Sequence, residues 1–288
     1  MIEFRDVHAS YDAETPILKG MDLTINDGDF VAFVGTNGAG KSTAMRLMNG
    51  LLKPDRGEVL IDGVPTTQLK TSDLARRVGF LFQNPDRQIC SNTVREELLF
   101  GFRALGRLDD EAEHRVDAII EEFHFDGDAD PFLLNRGTRQ LLALASIVVL
   151  EPPVVVLDEP TTGLDFRECM KVMDVIANLH LQGTTVVMVC HDMEVVADFA
   201  ERVVVMTDGR VVDQGPTFEV LRNRQTLVEA DLVPPQMVDV SMALPMIDPR
   251  FAATPVAEAN TLDEMQTAIE VMATDGEGAL GLKEEGDC

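Results

Sequence analysis

Two periodicities alternate along the chain. The opening segment "MIEFRDVHAS" sets Ile2 and Phe4 between charged and polar neighbours, the period of two expected of a strand with one buried face. Short uninterrupted apolar runs follow: "DFVAFV", "VGFLF", "PVVVLD" and "TTVVMVC". Runs of this kind, separated by helical patterns, predict a parallel sheet covered on both faces. The helical patterns include "STAMRLMNGLL", which puts Ala44, Leu47, Met48 and Leu51 on one face, then "RVDAIIEEFHF", "FRECMKVMDVIANLH" and "MEVVADFA". Residues 84–150 are the richest in helical periodicity and read as a helical insertion. "RVVVMTDGRVVDQG" reads as a hairpin turning at Asp208-Gly209.

The pattern changes after about residue 225. Acidic residues there far outnumber the two basic ones, Arg250 and Lys283. One helix is still predicted in "TLDEMQTAIEVM": Thr261 and Glu264 form a capping box, and Met265, Ala268, Ile269 and Met272 line one face. The end, "GEGALGLKEEGDC", is expected to be a mobile tail. The organisation expected is thus 1–225 as one large α/β unit, with 226–288 as an extension.

Composition narrows the partners. A net charge of −26 argues against nucleic acid, whose phosphates need a basic face, and against adsorption to an anionic membrane. No run reaches the ~18 apolar residues of a membrane helix. The nearest, Ile147 to Leu157, is broken by Glu151, Pro152 and Pro153. The N-terminus reads as a strand and not as a secretory signal, so any work at a membrane would go through a protein partner. Cys90, Cys169, Cys190 and Cys288 lack metal-type spacing and read as reduced thiols.

The chemistry sits at strand ends. "GTNGAGKST" fits G-x-x-x-x-G-K-[ST], and it follows a strand and opens a helix, the context that motif needs. Its residues Gly35, Thr36, Asn37, Gly38, Ala39, Gly40, Lys41, Ser42 and Thr43 would wrap a phosphate with backbone N–H groups at a positive helix end. Lys41 would reach the β- and γ-phosphates of ATP, and Ser42 would hold Mg²⁺. "VVVLDEP" ends in Asp158, which can anchor Mg²⁺ through water, and Glu159, which can take the proton of an attacking water. Gln83 after "VGFLF" can touch Mg²⁺ or that water. His191 follows a strand expected beside the phosphate-loop strand, from where it could contact the γ-phosphate. Tyr11, the single tyrosine, could stack on adenine.

This ordered set resembles the nucleotide-binding subunit of an ABC transporter, over roughly residues 1–225. It includes "TTGLD", ending at Asp165, and "LNRGT", Leu134 to Thr138, where the family has a Leu-Ser-Gly-Gly-Gln signature. "FQNPDRQICSNTVREELLFG", "LDEPTTGLDFRE" and "LVEADLVPPQMVDVSMAL" look like the energy-coupling-factor branch, importers of vitamins and of cobalt or nickel. The resemblance implies a P-loop NTPase core of ABC type with an antiparallel β edge and a helical subdomain. It implies Asp165 at a dimer interface, and Asn135, Arg136, Gly137 and Thr138 facing the ATP of a second ATPase subunit. Gly137 is expected to let its N–H approach that nucleotide, with Asn135 capping the helix. Complete hydrolytic residues beside an irregular signature favour a heterodimer over a homodimer. The extension is expected to be the dimerisation element. A transmembrane coupling protein near Gln83, a substrate-capturing membrane protein and a place on the cytoplasmic face of the cell membrane complete the expectation. The alternatives are another ABC importer subunit, or a soluble non-transport ABC ATPase.

Overall fold

Val154–Asp158 and Thr185–Val189 are buried at every position, so both faces of the sheet that holds them must be covered. The computed structural model describes residues 1–12 and 15–276 and shows how. In chain order the strands are β1 (Ile2–Ser10), β2 (Pro16–Ile25), β3 (Phe30–Gly35), β4 (Arg56–Ile61), β5 (Val64–Pro65), β6 (Val78–Leu81), β7 (Val154–Asp158), β8 (Thr185–Val189), β9 (Arg202–Thr207) and β10 (Arg210–Pro216). The helices are α1 (Lys41–Met48), α2 (Thr71–Leu74), α3 (Val94–Ala104), α4 (Asp110–Glu122), α5 (Arg136–Val148), α6 (Phe166–Leu181), α7 (Met193–Phe199), α8 (Thr217–Leu221), α9 (Arg224–Glu229), α10 (Gln236–Ile247) and α11 (Leu262–Gly276).

The central sheet runs β10-β9-β3-β8-β7-β6, parallel except for the β9–β10 hairpin. That hairpin turns at Asp208 and Gly209, both with positive φ, as an inverse turn between twisted strands requires. Strand side chains alternate between two cores. Phe30, Ala32 and Val34 of β3 join Leu98, Leu142 and Met173 from α3, α5 and α6. Val31 and Phe33 join Met45 and Leu47 of α1 and Phe4, Met21 and Val59 of a second sheet. This second sheet, ordered β2-β1-β4-β5, is antiparallel throughout and forms the outer layer. Helices α3 to α5 lie between β6 and β7 in the chain.

Three local expectations change. Helix α1 ends at Met48; Gly50 takes φ 71°, and Leu51, expected on the helix's apolar face, is 52% exposed. The large core also extends past residue 225, because Ala230 and Leu232 pack into it and Thr226 Oγ1 donates to Asp213 Oδ2 at 2.6 Å. In α11, Met265 and Ala268 are buried as the pattern asks, but Ile269 is 54% exposed. Glu264 N donates to Thr261 Oγ1, while the Glu264 carboxylate accepts from Asn260 N, one residue before the capping-box partner. The tail expected beyond α11 lies outside the described residues.

The extension has its own small core of Val256, Ala259, Met265 and Ala268, flanked by Met237, Leu244 and Phe251. Three side chains tie it to the rest among the described residues: Arg224 donates to Met242 O at 3.2 Å, Glu194 accepts from Gln236 N at 2.7 Å, and Arg222 makes the most contacts. Arg222 donates to Ser241 Oγ and Asn260 Oδ1, each at 3.0 Å, to Ala259 O at 3.3 Å and to Ala257 O. Burial lowers the pKa of this guanidinium, against the pull of Glu258 and Glu264. Arg222→Ala would strand those acceptors, at about 1–3 kcal/mol for the group. Amides of α10 and α11 should then exchange with deuterium about tenfold faster or more, with α1 and β3 unchanged. Equal protection in α10 and α11 would show that Arg222 does not hold the extension in place.

Candidate functional site

Parallel strands deliver their carboxyl ends to one edge, where ligands bind in open α/β sheets. Here β3, β8, β7 and β6 end at or just before Gly35, His191, Asp158 and Gln83. The β3–α1 loop is shaped by Gly35, whose φ is 123° and whose Cα lies so near β9 that a Cβ would fall 2.0 Å from Met206 O. Gly38 and Gly40 also have positive φ, and Gly40 caps α1. Such a curl turns successive N–H groups inward to form an anion-binding hollow. Lys41 is buried, and its Nζ donates to Gly35 O at 2.8 Å and Thr36 O at 2.9 Å. Burial lowers the Lys41 pKa; Glu159 and Asp158 oppose this.

Ser42 Oγ donates to Asp158 Oδ1 at 2.9 Å. Burial pushes the Asp158 pKa up, and the Ser42 hydrogen bond pulls it back. Glu159 follows in a left-handed conformation, φ 53°, with its N–H on Val189 O of β8. That bend turns its side chain out of the sheet towards three polar groups. Gln83 Nε2 donates to Oε2 at 2.7 Å, Thr162 Oγ1 donates to the same oxygen at 2.9 Å, and His191 Nε2 lies 3.0 Å from Oε1. His191 and Gln83 therefore meet Glu159 directly.

Tyr11, Asn37 to Thr43, Glu159 and His191 line one cleft of about 320 Å³, together with Arg46. Arg46 Nη1 donates to Tyr11 Oη at 2.7 Å, and its guanidinium carbon lies 5.6 Å from the ring centroid. The ring is half exposed, and its hydroxyl is held by Arg46. The sequence reading missed Arg46, because nothing in its position on α1 marks it. It also passed over Thr162, although the residue lies within "TTGLD".

The signature segment stands apart: none of Asn135, Arg136, Gly137 and Thr138 lines that cleft. Asn135 caps α5, its Oδ1 accepting from Thr138 N at 2.8 Å. Asp165 caps α6 in a full capping box with Glu168. Gly137 is buried against that box, where a Cβ would come within 2.2 Å of the Glu168 carboxylate. A Cβ at Gly137 would therefore displace the Glu168 side chain from its place in the capping box.

A family model described as ABC transporter matches residues 18–162, half of the chain, from β2 to the bend after Glu159. The chain belongs to the ABC transporter family. Its fold is the ABC form of the P-loop NTPase, and it is an ABC-type ATPase. It is 39% identical over 250 residues to the energy-coupling factor transporter ATP-binding protein EcfA of Methanothermobacter thermautotrophicus, covering 85% of this chain and 80% of that one. A relative in Caldanaerobacter subterraneus, named as an ABC transporter ATP-binding protein, is also 39% identical; there the chain spans 43% of the relative's length. Among solved structures, cbiO1 of Clostridium perfringens, part of the ABC transporter complex cbiONQ, matches at 30% identity and TM-score 0.70, over 85% of this chain and 96% of that one. An ATP-binding cassette solved as a dimer with ADP and Pi matches at 31% identity and TM-score 0.66, over 75% of this chain and 99% of that one.

Proposed function

We propose that this ABC ATPase hydrolyses ATP to power a membrane importer of the energy-coupling-factor type, taking up a vitamin or a transition metal. The observation that carries hydrolysis is Glu159, set one residue past Asp158 and gripped by Gln83, Thr162 and His191 at the mouth of the phosphate loop. The likeness to EcfA over most of both chains supports the branch.

Tyr11 stacks on the base, and the N–H groups of Gly38 to Ser42 hold the phosphates. Lys41 exchanges its loop carbonyls for phosphate oxygens. Glu159 accepts the proton of the attacking water, with His191 and Gln83 fixing its carboxylate. The donor set also fits Mg²⁺: a Ser42 hydroxyl, a desolvated Asp158 carboxylate and the Gln83 amide are hard oxygen donors. Bound there, Mg²⁺ would neutralise charge developing on the phosphates.

We assign Asn135 to Thr138 and Asp165 to the interface with a second ATPase subunit, a heterodimer being favoured. Exposed Val240, Met246, Ile247, Leu262 and Ile269 make the extension a fitting dimerisation element. No described helix is long and apolar enough to cross a membrane. The likeness to subunits of membrane transporters supports membrane partners and a peripheral place at the cytoplasmic face. An apolar groove of about 260 Å³ next to Phe82, lined by Val78, Phe80, Leu105, Ile147 and Leu150 with Arg76 and Arg107, suits an amphipathic helix of the coupling protein.

Affinity purification from membranes in mild detergent tests the assignment. A coupling membrane protein, a small substrate-capturing membrane protein and a second ATPase should co-purify. Recovery with ribosomes or DNA-bound proteins, and no membrane chain, would sink it. Recovery with the membrane subunits of another importer class would remove the branch and leave the ATPase reading standing.

A further inference from the structure

The Arg136 side chain turns back from the start of α5 onto its own chain. Its Nη2 donates to Thr162 O at 2.9 Å. Gly163 makes room for the guanidinium: a Cβ there would come within 2.8 Å of Arg136 Cζ. The hydroxyl of the same Thr162 donates to Glu159 Oε2. One residue therefore has its carbonyl held by the signature arginine and its hydroxyl on the hydrolytic carboxylate. Helix α5 holds this loop at two further points. Gln140 Nε2 donates to Pro160 O at 3.0 Å, and Gly137 packs on Glu168 where the loop enters α6.

We propose that Arg136 is a positioning residue for Glu159 of its own chain, acting through Thr162, in addition to any contact with the partner's nucleotide. This rests on the reading above that the chain hydrolyses ATP in a dimer. Physically, the guanidinium fixes the Thr162 carbonyl and, through the planar peptide, the Cα that carries the hydroxyl-bearing side chain. Without that anchor the Thr162–Glu159 hydrogen bond becomes one of several loop arrangements, and Glu159 presents its free lone pairs to water in fewer productive geometries. The signature of this subunit is thereby tied to its own hydrolytic site.

The test uses the assembled dimer with the partner's catalytic glutamate replaced by Gln. Only the site built on this chain's Lys41 and Glu159 then turns over, and its signature comes from the partner, so Arg136 does not face the ATP being split. Arg136→Ala and Thr162→Val should each lower kcat about tenfold with KM for ATP held within about twofold, and the double variant should fall about tenfold, not a hundredfold, because both break one linkage. Thr162→Ser, which keeps the hydroxyl, should restore kcat. Unchanged kcat in either single variant, a multiplicative double variant, or Thr162→Ser as slow as Thr162→Val would overturn the proposal. A pair with native residues at 136 and 162 that does not hydrolyse ATP sinks the hydrolytic reading and this inference together. One that hydrolyses but ignores both substitutions sinks this inference alone.

Discussion

Glu159→Gln should leave ATP binding intact and slow turnover by about 10²–10⁴-fold, the range for losing a general base. The substitution is nearly isosteric, and the surroundings can absorb it. Oε2 accepts from Gln83 and Thr162, so the new amide can keep its oxygen on that side. Its NH₂ group then faces His191 Nε2, which can accept once the ring carries its proton on Nδ1. The bend at Glu159 is fixed by backbone, through its N–H on Val189 O, and does not depend on the charge. What disappears is the capacity to take a proton from water. Single-turnover hydrolysis and nucleotide titration measured side by side give the two halves of the result. The variant should also accumulate as an ATP-bound dimer on sizing, since closure precedes the lost step. Wild-type turnover would remove Glu159 from the mechanism; lost ATP affinity would mean that its charge serves binding instead.

The parts legible in the sequence are those where function forces residue type and spacing together. The phosphate loop is one: three glycines, a lysine and a hydroxyl between a strand and a helix allow little else, and Gly35 is irreplaceable beside Met206 O. Uniformly buried strands are another, because apolar runs such as 154–157 can be covered only on both faces. The sheet then brings Gln83 to Glu159 across 76 residues, a meeting that strand ends imply but periodicity does not. Contacts between loops were not legible. Nothing in "TTGLD" announces that the Thr162 hydroxyl reaches Glu159, or that Arg136 holds the Thr162 carbonyl. Nor does the spacing announce that Gly137 lies against the Glu168 side chain. Composition shifts near residue 225, yet Ala230 and Leu232 still belong to the large core, because packing follows surface complementarity and not average charge.

Lys41→Ala should weaken ATP binding by about 30–100-fold and abolish measurable hydrolysis, as expected when charge-assisted hydrogen bonds worth roughly 1.5–3 kcal/mol each are removed. The geometry explains why one cation matters so much in a chain of net charge −26. Lys41 is 6% exposed, with its Nζ inside the curl of the loop, so phosphate reaches it with little intervening water. It also lowers the pKa of Asp158 against burial, together with Arg46 and the Ser42 hydrogen bond. Removing it leaves the carbonyls of Gly35 and Thr36 without this donor and the carboxylates without this countercharge. Some loss could therefore come from a disordered loop and not from a missing phosphate contact. Lys41→Met separates the two, since it fills the same space and carries no charge. If charge on phosphate is the cause, Lys41→Met should bind ATP as poorly as Lys41→Ala while melting close to wild type. If Lys41→Met bound ATP with wild-type affinity, the phosphate-loop assignment would fail. Loss of binding in Lys41→Ala alone would assign the effect to loop packing.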